Sequence, residues 1–227
     1  MKDYQQMACK HYLLLDRSGS MSSQWEYAIN AINTYASKIP VTDQLLIALF
    51  DSSWDTRISP TRWAGNEQFK FEVVYNGAVT SFRPISFIEY TPRGGTPLNQ
   101  AMFELFNNHV NADNHDKAVI VIMTDGEENA SQSEYTVAGV KGLIDVAEKR
   151  GYQIVFLGAN FDGVRDQAFE RGVRNTRAFA MSPQNYNSTM HLAAAKAVTY
   201  SSASTDQVFT GVATMDFSEQ EIKDAKK

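Results

Sequence analysis

Four runs of consecutive apolar residues punctuate the chain, at residues 11–16 (HYLLLD), 44–51 (QLLIALFD), 117–125 (KAVIVIMTD) and 152–158 (YQIVFLG). They are continuous rather than alternating, which is the signature of strands covered on both faces. Helical periodicity fills the gaps between them. Residues 23–39 place Trp25, Ala28, Ile29, Ile32, Tyr35, Ala36 and Ile39 at three- and four-residue spacing. Ser23 and Glu26 have the spacing of a capping box, and Pro40 follows the helix end. A second helix is predicted over 96–108, with Pro97 in its first turn. A third is predicted over 131–149, capped by Ser131 and Glu134 and closed by Gly151. Residues 161–171, closed by Gly172, and 183–202 predict two more. A last short helix begins at Ser218, with Glu221 completing a capping box.

Strands alternating with helices predict an α/β fold. It is a doubly wound, Rossmann-like, mostly parallel sheet of about six strands with helices on both faces. The stretch 52–93 interrupts the alternation. It carries Trp54, Trp63 and several phenylalanines, and residues 69–79 read as a probable antiparallel edge strand. Length favours one domain over 1–227, with a core at about 12–181, an elaboration at about 52–93 and a C-terminal helix and tail at about 183–227. Within that tail, residues 208–213 are apolar enough to pack or to pair as a strand, and the basic end 223–227 reads as frayed.

Composition narrows the function classes. Twenty-one basic against 26 acidic residues leave a formal charge of −5, which disfavours the basic face that nucleic-acid binding requires. No apolar run approaches the roughly 20 residues that span a bilayer, so no membrane partner is expected. The single cysteine, Cys9, excludes an intrachain disulfide. The opening residues carry no apolar signal core, and a reducing, cytoplasmic setting is the expectation. His11, His109, His115 and His191 show no zinc-like spacing, and Cys9 is expected to be structural rather than nucleophilic.

The chemistry gathers where strands end. The first strand runs into Asp16-Arg17-Ser18-Gly19-Ser20, the third into Thr124-Asp125-Gly126-Glu127-Glu128, and Arg93-Gly94-Gly95-Thr96 delivers a threonine to a helix start. The carboxyl edge of an open α/β sheet is where ligands bind. Carboxylate and hydroxyl oxygens are hard donors suited to a small divalent cation. Asp-x-Ser-x-Ser alone is also a good turn and cap, but the later threonine and aspartate make the pattern specific.

Taken together these residues resemble the von Willebrand factor A domain and its metal-ion-dependent adhesion site (MIDAS). That motif is Asp-x-Ser-x-Ser, a loop threonine and an aspartate after a later strand, matched here by Asp16, Ser18, Ser20, Thr96 and Asp125. The similarity covers about 12–181 and fits 52–93 least well. It implies direct ligation by Ser18 and Ser20, direct or water-mediated ligation by Thr96, and roles through water or hydrogen bonds for Asp16 and Asp125. The implied metal is Mg²⁺, with Mn²⁺ or Ca²⁺ as alternatives, and the implied function is non-catalytic capture of a carboxylate from a partner protein. Intracellular bacterial members often work with AAA-type ATPases, which makes such an ATPase a candidate partner, and a setting in a bacterium or a bacteriophage is the expectation. Arg17, Arg93, Glu127, Trp54 and Trp63 are candidates for the partner surface, though rim pairing, solvated loop acids and local core are equally natural roles. The rival reading is a magnesium-dependent phosphohydrolase or phosphotransferase with Asp16 as nucleophile. Its haloacid-dehalogenase-like form wants a second aspartate where Ser18 stands. Dinucleotide binding lacks its glycine fingerprint.

Overall fold

The computed structural model describes residues 8–54, 67–159 and 163–227. Six strands form one sheet: β1 (Lys10–Asp16), β2 (Gln44–Trp54), β3 (Glu67–Ala78), β4 (Ala118–Thr124), β5 (Gln153–Ala159) and β6 (Ala178–Met181). Their order is β3-β2-β1-β4-β5-β6. All neighbours are parallel except β2 and β3, which run antiparallel with one register shift at Ile47/Ala48. The helices are α1 (Trp25–Lys38), α2 (Leu98–Leu105), α3 (Val137–Lys149), α4 (Val164–Glu170), α5 (Tyr186–Ser202), α6 (Thr205–Phe209) and α7 (Glu219–Ala225).

The continuous apolar runs are explained by burial on both sides. Every residue of β1, β4, β5 and β6 is buried. Leu13, Leu15, Ile47 and Val121 face one core with Trp25, Ile29, Ala193 and Ala197. The alternate residues Leu14, Ala48, Ile120 and Ile122 face the other, with Leu98, Met102, Ile144 and Ala168. Each fully buried leucine or isoleucine contributes roughly 1.5–3 kcal/mol.

The order places a topological switch between β1 and β4, since the chain winds outward to β2 on one side and to β5 on the other. A crevice therefore opens at the carboxyl ends of β1 and β4, directly after Asp16 and Thr124.

Several boundaries differ from the sequence expectation. The Ser23–Glu26 capping box does not form. The chain leaves β1 through a 3₁₀ turn at Gly19–Ser23 and enters α1 already wound, with Gln24 at the cap position and no side-chain cap bond. Pro97 precedes α2 rather than lying in its first turn, and beyond Leu105 the helix widens into a π turn at Phe106–Val110. α3 begins at Val137, capped by Thr136 accepting from the Gly139 amide. Ser131 is taken up elsewhere, donating to Glu128 Oε2 at 2.6 Å and accepting from the Gln100 amide at 3.0 Å.

Residues 208–213 do not form a strand. α6 and a turn occupy that stretch, because Ser204 and Gln207 make a capping box that winds the chain there. The sixth strand is instead β6, only four residues long and too short for periodicity to announce. The Ser218–Glu221 capping box is present. The basic end is less frayed than expected, because α7 buries Ile222 and Ala225. Trp63 and the start of the expected 161–171 helix lie outside the described residues, as does the side chain of Trp54.

Candidate metal centre

Asp16 ends β1 with no exposure, and both of its oxygens are engaged. Oδ1 accepts from the Ser18 amide at 2.7 Å and Oδ2 from Thr124 Oγ1 at 2.7 Å. The first bond curls the chain so that Ser18 and Ser20 point back over the sheet edge. Their hydroxyl oxygens lie 3.0 Å apart, and Ser20 Oγ donates to Asp125 Oδ1 at 2.7 Å. Burial pushes the Asp16 carboxyl up to about 7, against the pull of its bonds from Thr124 and Ser18. Burial also raises Asp125, against bonds from Ser20 and Gln24.

The third loop is held by backbone contacts that demand glycine. Gly94 has φ +63°, and a Cβ there would sit 1.2 Å from the Ser52 carbonyl oxygen. That proximity lets Gly19 N donate to Gly94 O at 3.0 Å and Ser52 N to Gly95 O at 3.1 Å. Gly95 N reaches Ser52 Oγ at 2.7 Å. Thr96 follows, 2% exposed, with its amide on Asn129 Oδ1 at 2.8 Å. Its hydroxyl has no hydrogen-bond partner among the described residues. A Cβ placed on Gly126, the residue after Asp125, would lie 3.7 Å from that hydroxyl oxygen. The five predicted residues therefore share one edge of the sheet.

The remaining predicted residues separate. Arg17 is 3% exposed and turned inward, with Nε on Asp51 Oδ2 at 2.6 Å and Nη1 on Glu72 Oε2 at 2.8 Å. It is unavailable to a partner and instead neutralises the fully buried Asp51. Arg93 is 47% exposed. Its Nε is anchored 3.2 Å from Asp51 Oδ1, and neither terminal nitrogen bonds a described residue. Glu127 is exposed. Glu128 is no solvated loop acid. It accepts from the amides of Asn99, Ala130 and Ser131 at 2.6, 3.0 and 2.7 Å, lashing the loop after β4 to the start of α2.

Two features escaped the sequence reading. Gln24 donates to Asp125 Oδ2 at 2.8 Å and accepts from the Tyr186 hydroxyl, orienting the second carboxylate from α1 and α5. Its helical spacing gave no sign of this, because the partner lies over a hundred residues away. At the opposite sheet edge, Cys9, His11 and Asp43 converge, with their ligand atoms within 4.8 Å of one another. Asp43 accepts from Cys9 N, His11 Nε2 and Ser201 Oγ at 3.1, 3.0 and 2.9 Å. Burial holds the thiol protonated, so this is a satisfied polar network that ties β1 to the entry of β2.

The donor set fits a small divalent cation. In octahedral coordination with metal–oxygen bonds of ~2.0–2.1 Å, adjacent oxygens lie about 2.9 Å apart. The Ser18–Ser20 spacing matches that edge, and all the donors are hard oxygens.

Solved structures share the architecture. The vWF domain of the type V pili tip protein Mfa5 from Porphyromonas gingivalis aligns with TM-score 0.58 and 12% identity, over 84% of this chain and 95% of that one. Manganese-loaded TRAP protein of Plasmodium vivax aligns with TM-score 0.53 and 16% identity, over 81% and 72%. Proximal thread matrix protein 1 of the mussel byssus, with a zinc-occupied MIDAS motif, aligns with TM-score 0.58 and 13% identity, over 82% and 47%. The chain spans less than half the length of several solved structures that it matches. No curated relative matches it by sequence. No helix among the described residues is long and apolar enough to cross a membrane. Residues 12–128, just over half of the chain, match the von Willebrand factor type A domain, a family of metal-dependent adhesion and protein-interaction modules, and the chain belongs to that family.

Proposed function

We propose that Asp16, Ser18, Ser20, Thr96 and Asp125 hold one divalent cation, Mg²⁺ or else Mn²⁺ or Ca²⁺, and that the domain uses it to capture an acidic side chain of a partner protein. The observation that carries this is the convergence of Ser18 Oγ, Ser20 Oγ and Asp125 Oδ1 within 2.7–3.0 Å steps at the switch-point crevice. The bound cation would supply Lewis acidity toward an outside oxygen ligand. Neutral hydroxyls bring little charge to it, so it would stay attractive to a carboxylate.

The chain's own residues prepare that encounter. Asp16 acts mainly as a brace, since its oxygens already hold Ser18 and Thr124. Gln24 keeps Asp125 turned toward Ser20. Arg93, leashed to Asp51 by Nε alone, offers its fork to the second oxygen of the same carboxylate. Arginine suits planar, two-point recognition of that group.

The hydrolase reading loses support from this geometry. A nucleophilic aspartate needs a free oxygen facing the substrate, and both oxygens of Asp16 are bonded within a fully buried site. The setting we propose is cytoplasmic, with an AAA-type ATPase among candidate partners. The test is capture of a partner in Mg²⁺ buffer, repeated in chelator and with Thr96→Ala, beside an assay of phosphate-ester hydrolysis. Capture lost in both controls without hydrolysis is the expected result. Mg²⁺-dependent turnover abolished by Asp16→Asn would overturn it.

A further inference from the structure

A second site lies at the opposite edge of the sheet, where β5 and β6 begin, roughly 20 Å away by the length of a seven-residue strand. A cavity of about 170 Å³ opens there between the end of α3 and the turn after α6. That is several times the roughly 30 Å³ of a water molecule in the liquid. Its wall includes Glu148, Lys149, Gly151, Arg174, Arg177 and Phe209.

Arg177 decides its chemistry. The side chain is 2% exposed, and Nε donates to Asp216 Oδ1 at 2.9 Å. Neither Nη1 nor Nη2 has a hydrogen-bond or ion-pair partner among the described residues, although Arg177 lines the cavity. Both terminal nitrogens open onto the cavity rather than being sealed in the protein, so their N–H donors are free for an occupant. Asp216 Oδ1 also accepts from Thr176 at 2.7 Å. Arg174 and Lys149 stand at the mouth, and both are exposed. Glu148 has its Oε1 buried without a hydrogen bond, 3.8 Å from Arg174 Nε. Lys149, Arg174 and Arg177 against Glu148 and Asp216 leave one net positive charge.

The wall thus presents several donors and one acceptor. A carboxylate or sulfate satisfies the donors but has no proton for Glu148. An ammonium group offers donors only. A phosphate that retains one P–OH meets both demands. We propose that this cavity binds a protonated phosphate group, free or as a phosphomonoester, through Arg177 Nη1 and Nη2, Arg174 and Lys149, with the P–OH donating to Glu148 Oε1.

The test is amide chemical-shift titration of the full chain in chelator, which silences the metal centre, with inorganic phosphate, phosphoserine and sulfate in turn. Saturable shifts at Gly151 and Gly211 are expected with phosphate or phosphoserine, and the tighter of the two identifies the source. Sulfate should bind about tenfold more weakly, the equivalent of one charged hydrogen bond. Arg177→Met should abolish the shifts. If that variant fails to fold, Lys149→Ala with Arg174→Ala decides instead, since both side chains are exposed, and binding should fall by about tenfold or more. Absence of saturable shifts at these amides, binding that the double variant leaves as tight as in the native chain, or sulfate binding as tightly as phosphate would overturn the proposal.

Discussion

Gly94→Ala is the sharpest probe of how the centre is assembled. At φ +63° an added Cβ would lie 1.2 Å from the Ser52 carbonyl oxygen and 2.4 Å from its carbon. Both are backbone atoms, so no rotamer change relieves the clash and the 93–96 loop must lift away from β2. Three hydrogen bonds cross that contact: Gly19 N to Gly94 O, Ser52 N to Gly95 O and Gly95 N to Ser52 Oγ. At about 1 kcal/mol each, with about 1 kcal/mol more for a left-handed alanine, the loss is about 4 kcal/mol. Urea unfolding in chelator reads this as a lowered midpoint at constant slope. Because Thr96 rides on the same loop, cation affinity should fall as well. A stability loss below about 1 kcal/mol would refute the close apposition of Gly94 and Ser52 on which the loop's placement depends.

Other substitutions carry different signs and sizes. Gly142→Ala should stabilise the chain by about 1 kcal/mol in the same urea assay, since position 142 lies inside α3 and an added Cβ meets nothing within 4 Å. Asp51→Ala leaves Arg17 buried beside an empty anchor and should cost about 3–5 kcal/mol. Glu72→Ala removes a half-exposed partner of the same arginine and should cost under about 1 kcal/mol. Burial lowers the His11 pKa below 6.5 despite Asp43 beside it. The unfolded chain therefore takes up a proton near pH 6.5 that the folded chain refuses. Stability should fall as pH drops below about 6.5, by up to about 1.4 kcal/mol per unit. His11→Gln, compared by urea unfolding between pH 7.5 and 5.5, should show a shallower fall, and an unchanged slope would contradict the assignment.

Much of this was legible because its signals are local. Strands buried on both faces must be apolar throughout, so β1, β2, β4 and β5 announced themselves, and the Asp16 that ends β1 and the Thr124-Asp125 pair at the end of β4 marked the functional edge. β6 stayed silent because four residues carry no periodicity. The starts of α1 and α3 were misread because Ser23 and Ser131 have the type and spacing of caps, but tertiary contacts recruit their neighbourhoods. Ser23 closes a 3₁₀ turn, and Ser131 serves Glu128. The inward turn of Arg17, the brace of Gln24 on Asp125 and the meeting of Asp43 with Cys9 and His11 all join residues distant in sequence. Type and spacing along one segment hold no information about such pairs. Arg177 was invisible for the same reason, since its importance lies in what it fails to meet.

The central claim concerns the cation. Calorimetric titration of the purified chain with Mg²⁺ and Mn²⁺ tests it most directly, repeated with Ser18→Ala, Ser20→Ala and Asp125→Asn, each checked for an unchanged fold by urea unfolding. The account requires one saturable site, with each variant weakening it by about tenfold or more. Binding that is absent in the native chain, or that persists unchanged through all three variants, would contradict it.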